Sequence, residues 1–352
     1  MLTSILLIFA GALVFAIGAT PVARWLAPHV GVIDHPSARK VHAHPMPRLG
    51  GAAIFLAFVL ALVVFENRFN FQQLAGILIG ATFVSFLGIW DDRWGLRPIL
   101  KLVGQILGAL ILVVAGVHTE LFPWFALDVA LTVFWVVGIT NSFNLLDNMD
   151  GLSGGVGAVA AAFFTLLAAM SRPPQVLVAA LSAALFGVCL GFLVYNFNPA
   201  TIFMGDAGAM FIGYTLAAVG IKLRFPSNIT FVTWMIPVLV LGVPIFDTTL
   251  VFLSRLRRGL NPLTTPGKDH SSHRLVAMGS THREAVLILY LIGGALGVLA
   301  MFVTQADVIE SYVIFAGVLV AGIVGILRLE RPQLIPTKSP PPVEVSGDAK
   351  PS

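Results

Sequence analysis

Charged residues are scarce in this sequence: they make up 11% of its 352 residues, whereas soluble domains average about 25%. Hydrophobic residues make up 57%, and the mean hydropathy is +0.92. A soluble fold of this length does not need so much apolar surface, so the composition excludes an ordinary soluble domain. The sequence therefore predicts an integral membrane protein.

Cysteine is almost absent too. The single cysteine, Cys189, lies within an apolar run, which excludes a disulfide framework and a cysteine-based metal site. The apolar stretch from Leu2 to Leu26 lacks the basic segment that begins a signal peptide, and it leads directly into further apolar runs. We therefore interpret it as a retained transmembrane helix.

Apolar runs of about 20 residues repeat along the chain, and a helix of that length spans the hydrocarbon core of a bilayer. They predict an all-α integral membrane protein with eleven transmembrane helices, near residues 2–22, 49–65, 71–90, 98–116, 124–142, 155–170, 176–195, 207–221, 229–251, 284–304 and 310–328. Residues 1–330 form the predicted membrane domain. Residues 331–352 are Pro-rich without apolar periodicity, which predicts a disordered cytoplasmic tail.

The distribution of Lys and Arg predicts the orientation, because these residues are enriched in cytoplasmic loops. One set of alternate loops, together with the tail, holds 17 of the 21 basic residues. The opposite loops hold only Arg68, Arg172, Lys222 and Arg224. The N-terminus is therefore predicted outside and the C-terminus inside, in a multi-pass topology in the cytoplasmic membrane.

Eight aspartates lie in or next to the predicted cytoplasmic loops between helices. They are Asp34, Asp91, Asp92, Asp147, Asp150, Asp206, Asp247 and Asp269. The positive-inside rule does not require carboxylates on that face, so their accumulation there needs another cause. We therefore expect an active site on the cytoplasmic face.

Three of the motifs that hold these aspartates suggest a metal and phosphate site. Asp91 and Asp92 are adjacent at a predicted helix end, where a cation such as Mg²⁺ would offset their repulsion. Asp206 lies between two glycines at a helix start, where the helix dipole also favours anions. Each has a plainer alternative, a solvated helix end for the pair and an N-cap for Asp206.

The third motif follows the predicted fifth helix, where Asn144, Asp147 and Asp150 recur at every third position. This spacing presents an amide and two carboxylates to one side, followed by glycines that allow close approach to the backbone. A polar loop between helices is the alternative.

The long loop after the predicted ninth helix contains His270, His273 and Arg274. Imidazoles and a guanidinium are suited to binding a diphosphate and stabilising a leaving group. The loop after the first helix adds further cations, including Arg39 and Lys40. Orientation alone accounts equally well for the Arg cluster that precedes His270.

Six segments, in order, resemble the polyprenyl-phosphate N-acetylhexosamine-1-phosphate transferases, and in particular the bacterial enzymes that begin envelope-glycan lipid carriers. The segments are DHPSARKVHAHPMPRLGG, WDDR, NSFNLLDNMDGLSGG, NFNPATIFMGDAG, PIFDTT and RLRRGLNP with DHSSHRL. The resemblance extends from about Asp34 to Leu275. It implies transfer of a HexNAc-1-phosphate, GlcNAc-1-phosphate in the first instance, from a UDP-sugar to undecaprenyl phosphate with release of UMP.

The resemblance also implies roles for individual residues. Asp91 and Asp92 match the catalytic acidic pair, and Asp206, with Asp92, the site of Mg²⁺ or Mn²⁺. The other implied catalytic residues are Asp150, His270 and His273. The implied substrate-binding residues are Arg39, Lys40, Lys101, Asn144, Asp147, Asn196, Phe203 and Arg274. Relatives usually carry His where this chain has Ser272, so a role for that imidazole does not transfer.

The implied partners are the UDP-sugar, the polyprenyl phosphate and membrane lipids, with a homodimer possible and no nucleic acid. A phospho-MurNAc-pentapeptide transferase is the alternative within the same chemistry. An intramembrane prenyltransferase also uses Asp and Mg²⁺, but it is expected to space several Asp along one helix. A secondary transporter is expected to show internal repeats and mid-membrane ionisable residues, and the sequence offers little of either.

Overall fold

The computed structural model of the protein describes residues 1–36, 44–65, 71–225, 230–262, 265 and 267–331. Arg39 and Lys40, and the predicted tail beyond Arg331, lie outside the described residues.

Within these ranges the regular secondary structure is helical, apart from two short strands. The helices are α1 (Leu2–His29), α2 (Gly50–Phe65), α3 (Phe71–Trp94), α4 (Pro98–Val114), α5 (Phe125–Leu146), α6 (Leu152–Met170), α7 (Val176–Asn196), α8 (Gly205–Lys222), α9 (Thr230–Thr233), α10 (Met235–Val240), α11 (Gly242–Arg257), α12 (Ser271–Ala277), α13 (His282–Val303) and α14 (Val308–Leu329). The strands, β1 (Ile33–Asp34) and β2 (Met46–Pro47), pair antiparallel, with Ile33 opposite Pro47.

In the described part of the chain, seven helices are long and apolar enough to cross a membrane. They are α1, most of α3 (Gln72–Trp94), α5, α6, α7, α13 and α14, and the segments Gly50–Val64 and Pro98–Val114 are shorter apolar helices. The all-α membrane class is confirmed. The count of eleven spans and the orientation stay predictions.

The predicted ninth helix, near residues 229–251, was wrong as a single element. The structure breaks it into α9, α10 and α11. Pro237 and Pro244 interrupt the backbone hydrogen bonding of this segment because proline has no N–H to donate. Gly242 lies at the second break, where an added Cβ would be 2.7 Å from Leu296 Cδ1 on α13. Close packing against α13 therefore accompanies this break.

Helix α8 lies at the centre of the bundle and packs against α2, α3, α5, α6 and α7. Its residues from Ala207 to Ile221 are buried without exception. Small residues allow other helices of the bundle to approach each other closely. At the α1–α7 contact, an added Cβ at Gly191 would lie 2.7 Å from Ala16 Cβ. By contrast, the only buried residue of α14 is Ser311. The core is therefore centred on α8, whose first turn carries Asp206.

Candidate active site

Two carboxylates reach the start of α8 from the last turns of α3. The sequence analysis ended its third helix at residue 90, but α3 continues to Trp94, so Asp91 and Asp92 lie on the helix itself. Asp92 accepts hydrogen bonds from the backbone N–H groups of Asp206 (3.0 Å) and Ala207 (3.2 Å). It therefore caps α8 and satisfies N–H groups that no helical carbonyl can reach.

Gly205 makes this approach possible. Its φ is +66° and a Cβ at this position would overlap the carboxylate of Asp92. Only glycine adopts this backbone conformation without strain. We call Asp91, Asp92 and Asp206 the carboxylate cluster.

Lys101, from the first turn of α4, binds the cluster from one side. Its Nζ donates to Asp91 Oδ2 at 2.8 Å and to Asn144 Oδ1 at 2.9 Å, and it also donates to Asp206 Oδ2. The lysine thus joins α3, α4, α5 and α8 through one ammonium group. Lys101 and Asn144, predicted from the resemblance as substrate-binding residues, lie at the cluster.

Arg48 binds the cluster from the other side, and the sequence analysis gave it no individual role. Its Nε lies 3.0 Å from Asp92 Oδ1 and its Nη2 lies 2.9 Å from Asp206 Oδ1. Burial lowers the pKa of Arg48, but the charges of Asp92 and Asp206 outweigh it and raise the pKa. The sequence offered one signal for this residue, its position just before Leu49-Gly50-Gly51. The β1–β2 pair and the start of α2 place Arg48 against α8.

Asp147 follows the last residue of α5 and belongs to the same charged environment. Burial raises the pKa of Asp147 to about 8, while Arg48 lowers it and the negative charges of Asp206 and Asp92 raise it further. The carboxyl group is therefore mostly protonated at neutral pH, and a protonated carboxyl can donate a hydrogen bond. The structure thus gives Asp147 a different electrostatic state from that of a simple anionic ligand.

The cluster has the donor chemistry of a site for a hard divalent cation. Mg²⁺ prefers oxygen ligands, and Asp91, Asp92 and Asp206 supply three carboxylates. In this structure their oxygens are bonded to Lys101, Arg48 and backbone N–H groups. Across the described ranges, no three His, Cys, Asp or Glu side chains are already arranged to hold a metal ion. The residues fit a divalent cation by chemistry, and Mg²⁺ binding stays a prediction.

Asp150 and Asn196 join the α5–α6 loop to the α7–α8 loop. Asp150 Oδ2 accepts from Asn198 Nδ2 and from the backbone N–H of Ala200, both at 3.0 Å. Asn196 is 3% exposed; it accepts from the Gly151 N–H at 3.1 Å and donates to the Ile202 carbonyl at 2.9 Å. These contacts describe a structural role for both residues, and the predicted roles in catalysis and substrate binding stay predictions.

Phe203 lies in the α7–α8 loop and contacts the segment that joins α1 to α2. Its backbone N–H donates to the Pro47 carbonyl at 2.8 Å, and its own carbonyl accepts from the Gly50 N–H at 3.0 Å. These bonds hold the start of α2, and with it Arg48, against the start of α8. The ring is partly exposed, so it is accessible for the predicted contact with substrate.

His270 immediately precedes α12, and His273 lies on it. The sequence analysis did not predict this short helix. His270 is buried, and its Nδ1 lies 2.8 Å from Asp247 Oδ2 on α11. His273 is partly exposed, with its ring centroid 6.3 Å from that of His270. Burial, together with the positive charges of His270 and Lys268, lowers the pKa of His273 to about 4. His273 is therefore neutral at pH 7.

Arg274 is fully buried, and its guanidinium is surrounded by protein groups. It donates to the Asp269 carbonyl (2.8 Å), Ser254 Oγ (2.8 Å), the Leu329 carbonyl (2.6 Å) and Glu330 Oε1 (2.7 Å). These bonds tie α12 to α11 and to the end of α14. They describe a structural role, and the predicted contact with substrate stays a prediction.

Ser272, where the family resemblance predicts a histidine, is also fully buried. Its Oγ donates to Asn148 Oδ1 at 2.6 Å. The hydroxyl therefore connects α12 to the loop that carries Asp147 and Asp150. This chain therefore has a buried hydroxyl contact at the position for which the resemblance predicts an imidazole.

The fold and the site together define a multi-pass, all-α membrane protein in which three carboxylates, a lysine and an arginine meet at one end of the bundle. A family model, "Glycosyl transferase family 4", matches residues 74–224. That range includes Asp91, Asp92, Lys101, Asn144 and Asp206, so the match covers the carboxylate cluster and its lysine.

Relatives match most of the chain. A protein of Bacillus subtilis named "Probable undecaprenyl-phosphate N-acetylglucosaminyl 1-phosphate transferase" is 37% identical, over 84% of this chain and 84% of its own length. The decaprenyl-phosphate N-acetylglucosaminephosphotransferase of Mycobacterium tuberculosis is 33% identical, over 89% and 86%. The undecaprenyl-phosphate alpha-N-acetylglucosaminyl 1-phosphate transferase of Yersinia pestis is 27% identical, over 91% and 89%. The chain belongs to the family of polyprenyl-phosphate N-acetylhexosamine-1-phosphate transferases.

Proposed function

We propose that this protein transfers GlcNAc-1-phosphate from UDP-GlcNAc to a polyprenyl phosphate, undecaprenyl phosphate in the first instance, and releases UMP. The observation that carries the proposal is the convergence of the carboxylate cluster with Lys101 and Arg48 at one end of an apolar bundle. The named relatives support the same donor sugar and the same class of lipid acceptor.

The reaction brings two anions together. An oxygen of the lipid phosphate forms a bond to the β-phosphorus of the UDP-sugar, the bond from that phosphorus to the bridging oxygen breaks, and the oxygen leaves with UMP. The second pKa of a phosphate monoester is about 6, so the attacking group is mostly dianionic at neutral pH and needs little general-base help. The protein must chiefly offset charge repulsion and align the two phosphates.

The cluster residues can divide these tasks. Asp91 and Asp92 position the acceptor phosphate or remove its last proton, and Lys101 and Arg48 supply positive charge close to them. Lys101 makes three polar contacts to three other helices, so its ammonium is held in place before substrate arrives. A group fixed in advance does not have to reorganise during the reaction.

A divalent cation, Mg²⁺ or Mn²⁺, would be held by Asp206 and Asp92. When bound, it supplies Lewis-acid neutralisation of the diphosphate oxygens. Arg48 contacts both of these carboxylates, Asp92 through Nε and Asp206 through Nη2, so one guanidinium holds the two candidate ligands on the same side of the site.

The same proposal implies the membrane in which the protein lies and its orientation there. The charged end of the bundle faces the cytoplasm, where UDP-sugars are made, and the apolar helices hold the polyprenyl chain within the bilayer. Eleven spans with the N-terminus outside would place the protein in the bacterial cytoplasmic membrane with this orientation.

Release of UMP by purified protein in detergent with polyprenyl phosphate tests the function. We expect activity with UDP-GlcNAc, loss of activity in chelator, and loss in Asp206→Asn. Asp128→Asn is the matched control, since Asp128 is also a buried, hydrogen-bonded carboxylate, but it lies at the other end of α5 from Asn144. UDP-GalNAc and UDP-MurNAc-pentapeptide are tested in parallel. No UMP from any donor, or undiminished turnover in chelator, would contradict the corresponding part of the proposal.

A further inference from the structure

Asp247 is the one aspartate in the middle of α11, and it is fully buried. Its Oδ1 accepts from the Ser271 N–H at 2.7 Å and from Ser271 Oγ at 2.6 Å, and its Oδ2 lies 2.8 Å from His270 Nδ1. A buried carboxylate is costly unless it is hydrogen-bonded, and here both oxygens have partners. The start of α12 is thus built around this carboxylate.

The contact determines which ring nitrogen of His270 carries a proton. A carboxylate only accepts hydrogen bonds, so His270 must donate from Nδ1. A neutral imidazole has one N–H, and with that N–H directed at Asp247 its Nε2 presents a lone pair. Among the described residues, Nε2 has no hydrogen-bond partner. His270 can therefore donate to a phosphate through Nε2 only after taking up a second proton.

The groups around His270 come from α11 and from its own loop. Asp247 contacts His270 directly, and a carboxylate in contact with an imidazole stabilises the imidazolium. Asp269 is nearby, but Arg255 and Arg258 already neutralise it, at 2.9 Å and 2.5 Å. Burial and the positive charges of His270 and Lys268 lower the pKa of His273, so His273 is the neutral ring of the pair. The contact with Asp247 is made by His270, so the partner that can stabilise an imidazolium lies on that ring.

We propose that Asp247 is a positioning residue for His270: it fixes the ring with Nδ1–H toward α11, so that Nε2 takes up a solvent proton when a substrate phosphate binds. The proton is returned to solvent when product leaves. Asp247 itself touches no substrate. The inference rests on the proposed function, because it concerns the phosphate side of the same site.

Proton uptake on binding is the direct test, and it involves no turnover. Wild-type protein in weakly buffered detergent at pH 7.5 is titrated with UDP-GlcNAc alone and, separately, with polyprenyl phosphate alone. We expect uptake of a fraction of one proton per protein with at least one of the two. His270→Gln and Asp247→Asn should abolish it, and Asp128→Asn should retain it. Equal uptake in Asp247→Asn and wild type would overturn the proposal, as would no uptake with either substrate.

The pH profile of kcat/KM is the second test. Asp247→Asn should move the alkaline limb of this profile to lower pH, because a carboxylate in contact with an imidazole stabilises the imidazolium. Turnover of Asp247→Asn should be lower than that of the wild type by roughly tenfold to a hundredfold, as for loss of a charge-assisted hydrogen bond. The Asp247→Asn/His270→Gln double variant should be no worse than His270→Gln alone. Additive losses would show that Asp247 acts through something other than His270.

Should Asp247→Asn fail to fold, ¹⁵N-histidine spectra of the wild type, with His270→Gln for assignment, still decide the tautomer. A proton on Nδ1 in the neutral ring supports the proposal, and a proton on Nε2 overturns it. Wild-type protein that takes up protons but forms no UMP would contradict the proposed function and leave this inference intact. Normal UMP formation with an unshifted pH profile in Asp247→Asn would contradict this inference and leave the proposed function intact.

Discussion

At the scale of single residues, Lys101 joins several helices of the site through one ammonium group. Its ammonium group contacts Asp91, Asn144 and Asp206, residues of three different helices. Removing it would leave carboxylates facing each other without their shared cation, and unpaired charges in a partly buried site are destabilising.

We predict that Lys101→Met lowers turnover by a hundredfold or more, because two charge-assisted hydrogen bonds are worth roughly 1.5–3 kcal/mol each. UMP release measures the effect, and thermal unfolding in detergent reports the accompanying loss of stability. Lys222→Met is the matched control, since Lys222 ends α8 while Asp206 begins it. Equal losses in the two variants would mean that the position of Lys101 at the cluster does not matter.

His273 gives a prediction about pH. Its pKa is lowered to about 4 in the folded protein, below the ordinary value of 6.5. The unfolded chain therefore binds more protons between these values, so stability is fully present above about pH 6.5 and is lost as pH falls toward 4. In His273→Gln this part of the acid sensitivity should disappear. The midpoint of thermal unfolding, measured from pH 4 to 8 in both proteins, should show a smaller slope in the variant; parallel slopes would contradict it.

At the scale of elements, the site depends on how closely α2 approaches α8. The Gly50 and Gly51 N–H groups donate to the carbonyls of Phe203 and Met204 at 3.0 and 2.9 Å. A Cβ on Gly51 would overlap the backbone of Ala207 and Gly208, with Gly208 Cα 2.7 Å away. Backbone atoms cannot move aside as a flexible side chain can. The glycine pair therefore holds Arg48 against the carboxylate cluster.

We predict that Gly51→Ala separates α2 from α8 and lowers both stability and turnover, at a cost of about 1–3 kcal/mol or more from overpacking. Gly18→Ala is the control, because a Cβ at Gly18 meets nothing within 4 Å. The yield of folded protein and UMP release measure both variants. A Gly51→Ala protein that behaves like Gly18→Ala would show that this contact can relax without consequence.

At the scale of the whole molecule, charged groups from distant parts of the chain meet at one end of the bundle. The membrane sidedness of that end follows only from the Lys and Arg distribution, because the fold alone has no inside or outside. Labelling of single cysteines provides the measurement.

We predict that cysteines placed near Asp92, Asp150, Asp206 and His270 in a Cys189→Ser background react with an impermeant reagent only from the cytoplasmic side. Cys189 is buried, so its replacement removes background without opening the site. Cysteines near Glu120 and Arg172 should react from the outside. Labelling in the opposite sense at any of these positions in intact cells would refute the topology.

The end of the membrane domain can be tested by truncation. Leu329 and Glu330 bind Arg274, and Arg257 lies 3.8 Å from Glu330 as well. A chain that ends after Arg331 should retain activity, because every one of these contacts remains. A chain that ends after Arg328 should unfold at a lower temperature and lose turnover, since it leaves the buried Arg274 without two of its partners. Equal behaviour of the two truncations would show that the end of α14 does not support α12.

The sequence by itself determined the membrane class and the residues from which the site is built. Apolar runs long enough to cross a bilayer exclude a soluble fold at any tertiary arrangement, and carboxylates between such runs indicate function because burying them is costly. Asp91, Asp92, Lys101, Asn144 and Asp206 were predicted in this way and from family resemblance. The structure brings these five together.

Only the tertiary structure decided how these residues pair. Arg48 looked like one cation among many in a basic loop, and its bonds to Asp92 and Asp206 depend on the close approach of α2 and α8. Nothing in the sequence indicated that Arg274 is fully buried and bonded to the end of α14. Asp247 was one of eight aspartates predicted in or next to the cytoplasmic loops; the structure places it within α11, with His270 bonded to it. Local patterns fix which groups a helix carries, whereas hydrogen-bond partners far apart in the chain are fixed by packing.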